Sequence, residues 1–142
     1  MSAYDSVPEV LGVTIDGRAP TPIELMRLIK EGLPRSALLS IAATIGASPA
    51  AIVAGREPGA ARARRKSQAT LTPAEGAVVA RLAAVWPVAL EIWGDGNEAR
   101  AFLNRPHPLL EGRCPLDVIL QGEIGRALVG EILERLRHGS AG

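Results

Sequence analysis

Apolar residues recur along this chain every three or four positions, and glycines and prolines cut the pattern into short lengths. That period predicts amphipathic helices rather than strands. Thr21 is placed to cap, Pro22 suits a first helical turn, and Glu24 lies near the positive end of the helix dipole. Ile23, Met26, Leu28 and Ile29 predict the apolar face of that helix, and Gly32 its stop. A second helix starts at Pro34, with Ala37, Leu38, Ile41, Ala42 and Ile45 as its stripe and Gly46 as its end. A third runs from Ser48-Pro49 to Gly55, and residues 56–66 are compatible with helix from Pro58. Residues 67–71 read as a linker. Thr72-Pro73-Ala74-Glu75 has the capping-box pattern and opens a long helix with Val78, Leu82, Val85, Trp86, Ala89 and Trp93 on its buried side. Pro87 implies a kink in that helix or two shorter helices, and Gly94 ends it. Asp95 or Asn97 caps a short helix ending near Asn104, and Pro106-His107-Pro108 forces extended chain. Pro115–Leu120 is one more short helix. In the last, Glu123–His138, Ile124, Leu128, Ile132 and Leu136 are expected on one face, with Glu131 and Arg135 paired on the other. Ahead of all these, Val10 to Ile15 before Asp16-Gly17 reads as a short strand entering a turn, or as a loosely held arm.

Composition narrows the picture. At 142 residues, 47% hydrophobic and 22% charged, the chain is too apolar for disorder and long enough for one or two small domains. An aromatic content of 3% disfavours an all-β sandwich or barrel. The single Cys114 excludes an internal disulfide framework. Glycine, proline or charge breaks each apolar stretch short of the ~20 residues that span a bilayer, and MSAYDSVPEV shows no signal peptide. A cytoplasmic protein with no membrane partner is the expectation. Residues 1–71 carry nine Lys/Arg and six Asp/Glu, net +3; residues 72–142 carry seven and nine, net −2. Most of the basic excess sits in Arg56 to Lys66.

Leu38 to Gly55 has the spacing of a helix-turn-helix. Ala42 is small where two helices press together, Gly46 permits the turn, and Ile45 and Ile52 grip a core. An ordinary αα-corner gives the same triple by chance in an alanine-rich chain. A second frame through Ala51, Gly55 and Ala61 brings Glu57 and Gly59 into the recognition segment, which suits DNA poorly. Ser48, Arg56, Arg62, Arg64, Arg65 and Lys66 are the candidate DNA contacts. A solvated basic helix, or an anchor for an acidic partner, is the other reading of that run. Residues 48–54 offer no Arg, Lys, Asn or Gln to base edges, so DNA contact there rests on the phosphate backbone.

Enzyme chemistry finds little support. His107 lies between two prolines with no second histidine nearby in sequence, and Cys114 beside Pro115 has no evident base. Asp95, Glu98, Glu111 and Asp117 lack metal-loop spacing, and Gly94-Asp95-Gly96 is a helix end rather than a phosphate cradle. Trp86 and Trp93, seven apart, have core spacing. No catalytic residue, cofactor or metal is expected.

The C-terminal segment carries a more specific pattern. Ala101-Phe102-Leu103 precedes Asn104 with Pro106 and Pro108, then Leu110-Glu111-Gly112-Arg113-Cys114-Pro115, an apolar helix over 116–120, a glycine-containing helix from Gly125 to Leu136, and His138-Gly139. In order and spacing this resembles the toxin-binding C-terminal domain of the Xre/MbcA/ParS antitoxins. Upstream, Glu31-Gly32-Leu33-Pro34, Arg64-Arg65-Lys66 and Leu71-Thr72-Pro73-Ala74-Glu75 are similar to that family's central pattern. The chain departs from it at Ala60-Ala61, where the family has an Arg-Thr-like pair, and at Leu110-Glu111-Gly112, where Leu-Gly-Gly is common.

The resemblance implies an all-α fold, an N-terminal helix-turn-helix bundle followed by a small helical toxin-binding domain. It divides the chain into an arm (1–20), a helix-turn-helix region (21–70), a connecting long helix (71–95) and the toxin-binding domain (96–142). It also implies a cytoplasmic type II antitoxin, homodimeric within a toxin–antitoxin complex, that binds a RES-type, NAD-degrading toxin and its own promoter DNA. The implied toxin contacts are Asn104, Pro106, Leu109, Gly112, Arg126, Gly130, Arg137, His138 and Gly139, the last three with 140–142 covering the toxin's NAD pocket. Gly125 and Gly130 are smooth spots for a partner's backbone, or simply internal packing; Leu110 and Leu116 are expected to pack internally. Two other readings stand beside this one: a helix-turn-helix regulator whose C-terminal domain only dimerises, and an interaction module without DNA binding.

Overall fold

The computed structural model describes residues 3–53 and 70–139, which form eight α-helices and one 3-10 turn with no named strand among them. The first helix, α1 (Val7–Leu11), stands where a strand or loose arm was expected. Pro8 starts it, Gly12 ends it in the left-handed region at φ 69°, and Val7 and Leu11, one turn apart, are both buried. Asp16 and Gly17 at φ 51° and 79° then make a tight turn closed by two backbone bonds between Ile15 and Arg18.

In α2 (Pro22–Glu31) the capping box is complete. The Glu24 N–H donates to Thr21 Oγ1 at 3.2 Å, and the Thr21 N–H donates to Glu24 Oε1 at 3.0 Å. Arg18 grips the same carboxylate through both nitrogens at 2.7 and 2.8 Å. That guanidinium first, then the Thr21 N–H, holds the Glu24 pKa down to about 2. The buried face differs from the expected one. Leu25 is buried, with Leu28 and Ile29 packed behind it, whereas Ile23 and Met26 are 73% and 65% exposed. Ile29 and Leu33 pack over Gly76, where an added Cβ would lie 3.4 and 3.5 Å from them.

α3 (Arg35–Ile45) buries all five residues of its expected stripe and ends at Gly46, φ 73°. α4 (Pro49–Val53) follows and buries Ile52. The chain re-enters the described structure at Thr70, which bridges to Pro34.

α5 (Pro73–Trp93) is the axis of the fold and touches each of the other seven described α-helices. Thr72 and Glu75 cap it reciprocally at 2.9 and 3.1 Å, both largely buried. It is buried nearly all round, with Val79, Ala80, Ala83 and Ala84 added to the expected side, while Trp93 is only half-buried. Pro87 lies inside one continuous helix rather than between two. By length and composition α5 is apolar enough to cross a membrane, which the broken stretches in the sequence did not lead us to expect. Arg81, Pro87 and Glu91 interrupt the run without making it polar. In this fold more than half of that stretch is buried, the position of a core helix.

α6 (Gly96–Leu103), the 3-10 turn (Pro108–Leu110), α7 (Pro115–Leu120) and α8 (Glu123–Arg137) complete the chain, and α6 to α8 pack on α5. α8 buries only part of the expected face, Ile132 with Leu136 packed against the core. Gly125, Val129, Ile132 and Leu133 are buried, whereas Ile124 is 80% and Leu128 45% exposed. The helix is turned because α7 approaches at Gly125, where a Cβ would lie 1.9 Å from the Val118 carbonyl oxygen. Glu131 and Arg135 are both exposed and form no ion pair with each other.

Candidate interaction surface

The C-terminal segment is anchored on the helix pair α3–α4. Asp95 caps α6, accepting from the Asn97 N–H at 3.1 Å. One turn on, Arg100 donates from Nε to the Thr44 carbonyl at 2.8 Å and from Nη1 to Asn97 Oδ1 at 2.8 Å. Its guanidinium also lies 5.8 Å from the centroid of the buried Trp86 ring. Asn104 donates from Nδ2 to the Ile45 carbonyl at 3.3 Å and to that of Arg100 at 2.9 Å. Two carbonyls left open by the end of α3 are thus satisfied from α6, and a cation stands at the negative end of that helix. Asn104, though exposed, therefore spends its amide nitrogen on carbonyls of its own chain.

The loop after Asn104 is held by its own polar groups. His107 exchanges backbone bonds with Arg113 and Gly112, both at 3.1 Å, and its Nδ1 accepts from the Leu109 N–H at 3.1 Å. The ring meets Phe102 edge-on, and Phe102 tilts against Trp93 with centroids 4.8 Å apart. Cys114 Sγ donates to the Asn104 carbonyl at 3.6 Å. Glu111 at φ 56° and Gly112 at φ 80° turn the chain back. Pro106, Gly112 and Leu109, the last 53% exposed, face outward, while Leu110 is buried and Leu116 half-buried.

On α8 the two glycines part company. Gly125 is consumed by the α7 contact, whereas a Cβ at Gly130 would meet only Arg126 Nη1 at 3.9 Å. Gly130 opens onto a groove of about 890 Å³ between α5 and α8, floored by Val85, Pro87, Val88 and Leu133 and rimmed by charge. Arg126 is half-buried over the Tyr4 ring, 5.5 Å from its centroid, and paired with Glu123. Tyr4 donates its hydroxyl to Glu123 at 2.7 Å, which ties the start of the chain to α8. Burial first and Glu123 second push the Tyr4 pKa up to about 12. Burial works against the Glu123 carboxylate, yet the bonds from Tyr4 and Arg126 hold its pKa below the ordinary value.

At the end of α8, Arg137 pairs with Glu91 of α5 and with Glu134, the latter at 3.2 Å. His138 lies 3.3 Å from Glu134, and Gly139, φ 72°, has open space around it. Arg137, His138 and Gly139 are all exposed. Of the candidate DNA contacts, Ser48 is exposed immediately before α4. Arg56, Arg62, Arg64, Arg65 and Lys66 lie outside the described residues, as do residues 140–142. Among the described residues no group of three His, Cys, Asp or Glu is placed to hold a metal ion.

Residues 88–139 match the antitoxin Xre/MbcA/ParS C-terminal toxin-binding domain. The matched segment runs from the last turns of α5 through α8 and includes the Arg100–Asn104 anchor, the 104–114 loop and the exposed end of α8. This part of the chain is thus similar to the toxin-binding domain of those antitoxins. No curated relative matches the chain.

In the matched segment Ile124 and Leu128, expected on one apolar face with Ile132 and Leu136, are exposed. The available signal was the width of the apolar arc on α8. From Ile124 through Leu128, Val129 and Ile132 to Leu133 it exceeds what one packing neighbour covers.

Proposed function

We propose that this chain is the antitoxin of a type II pair, and that it neutralises a RES-type, NAD-degrading toxin by laying its C-terminal end across the toxin's active site. The observation that carries this is the toxin-binding match over residues 88–139, in which α8 delivers an exposed Arg137-His138-Gly139 end. The action is occlusion, a binding role rather than catalysis. In the same reading a homodimer holds promoter DNA through the α3–α4 pair, with Ser48 and the basic run Arg56, Arg62, Arg64, Arg65 and Lys66 on phosphates. The three-residue turn at Gly46–Ser48 and the buried Ala42, Ile45 and Ile52 support that assignment.

Truncation tests the occlusion. Leu136 is the last side chain packed against the core, so removing residues 137–142 takes away exposed groups and the surface pair of Arg137 with Glu91. Solvent screens such exposed pairs, so they add little, and the shortened protein should melt within a few degrees of the full chain. It should fail to protect NAD from the co-purified toxin. Full protection by the truncated form would refute occlusion by the C-terminal end.

A further inference from the structure

The exposed stripe on α8 extends this reading, and it rests on the antitoxin assignment. Successive helical residues turn by about 100°, so Ile124, Leu128, Glu131, Arg135 and His138 fall within one narrow face of α8. All five are exposed. The adjoining face, Gly125, Val129, Ile132 and Leu133, is the one pressed into the core. The stripe is apolar at its start and charged toward its end, and it descends roughly 21 Å along the helix to the C-terminal tip. Ile124 at 80% exposure has the largest exposed fraction among the described large hydrophobic side chains. An aliphatic pair one turn apart, Ile124 mostly and Leu128 nearly half open to water, leaves apolar surface that the fold does not cover. It is a ready anchor for a groove on another protein.

The structure assigns Ile124 and Leu128 as the apolar anchor by which α8 docks on the toxin, with the rest of the stripe guiding the C-terminal end into place. The occupant is the toxin rather than a second copy for two reasons. The pair lies inside the toxin-binding segment. It also shares one helix face with His138, in the end that the proposed function lays across the toxin's site, so one rigid helix engages at both places. The other exposed apolar pair, Ile23 and Met26 on α2, lies outside that segment and serves as a control.

The experiment uses full-length protein carrying Ile124→Gln with Leu128→Gln, and a control carrying Ile23→Gln with Met26→Gln. Glutamine keeps helix propensity and adds no charge. Each is titrated against the toxin of its own operon with NAD hydrolysis as the readout, and each is sedimented alone. The α8 variant should melt like the parent, sediment like the parent and need about 100-fold or more protein for the same protection, the range of a lost interface anchor. The α2 control should neutralise normally. Neutralisation by the α8 variant at parental concentrations would overturn the assignment. Altered self-association of that variant would give the stripe to a second copy and overturn it too. If the parent itself fails to neutralise the toxin, the antitoxin reading falls and takes this inference with it.

Discussion

Single atoms decide where α8 sits. Gly125 and Gly130 are alike in sequence, one helical turn and a residue apart, yet one contacts a backbone carbonyl and the other a groove. Alanine at position 125 must move α7 or α8 by more than an ångström, because its Cβ would fall 1.9 Å from the Val118 oxygen. Overpacking of that kind costs about 1–3 kcal/mol or more. Alanine at position 130 meets nothing nearer than 3.9 Å and relieves the helix of an interior glycine, a gain of about 0.5–1 kcal/mol. Urea midpoints of Gly125→Ala and Gly130→Ala should therefore move in opposite directions. Equal shifts of the same sign would mean that the α7–α8 contact is looser than described.

Between elements, Tyr4 and Glu123 fasten the first turn of the chain to the start of α8 at 2.7 Å. The Tyr4 pKa is raised from 10.0 to about 12, so the folded state favours the protonated phenol. Its contribution to stability is whole below pH 10 and is lost as pH climbs through about 12. Glu123 runs the other way: its folded pKa is lowered, so its contribution is present above the ordinary glutamate range and lost as pH falls through the lowered value. Tyr4 is the only tyrosine in the chain, so phenolate absorbance reports it alone. That absorbance should rise near pH 12 in the folded protein and near pH 10 in urea. Tyr4→Phe should flatten the alkaline limb of the stability profile, and an unchanged limb would sink the link. Most elements were legible in the sequence, because Thr21 with Glu24, Thr72 with Glu75, and Gly46 carry their start and stop signals locally. The rotation of an element was legible only where one side was apolar, as in α3. On α8 apolar residues cover more than one neighbour can bury, and the choice is made by Val118 of α7, which no local pattern announces. α1 was missed for a related reason: five residues are too few to show a helical period, and its contacts with α3 and α5 hold it.

The described residues share one core, and the family boundary does not divide it. The toxin-binding match begins at Val88, inside α5 and just after Pro87, although the helix runs on unbroken from Pro73. Across the other seam, Arg100 and Asn104 close the end of α3 through carbonyls 56 and 59 residues away in sequence. The motif order of residues 101–139 made the likeness to a toxin-binding domain legible, but which side chains are free to meet a partner was not. Asn104 and Arg126 look like surface polar groups in sequence and are engaged within the fold, while Ile124 and Leu128 look like core and are open. Partnering of that sort depends on contacts between distant segments. The same contacts predict how the protein comes apart. A fragment starting at residue 88 lacks Val78, Val79, Leu82, Val85 and Trp86, all buried against the rest. Each such side chain contributes about 1.5–3 kcal/mol on burial, and five of them approach or exceed the roughly 5–15 kcal/mol that holds a whole domain. The 88–142 fragment should therefore show little helical circular dichroism and no cooperative melt, while the full chain unfolds in one transition by every probe. A compact, cooperatively melting 88–142 fragment would show instead that α6 to α8 hold together without the first four turns of α5.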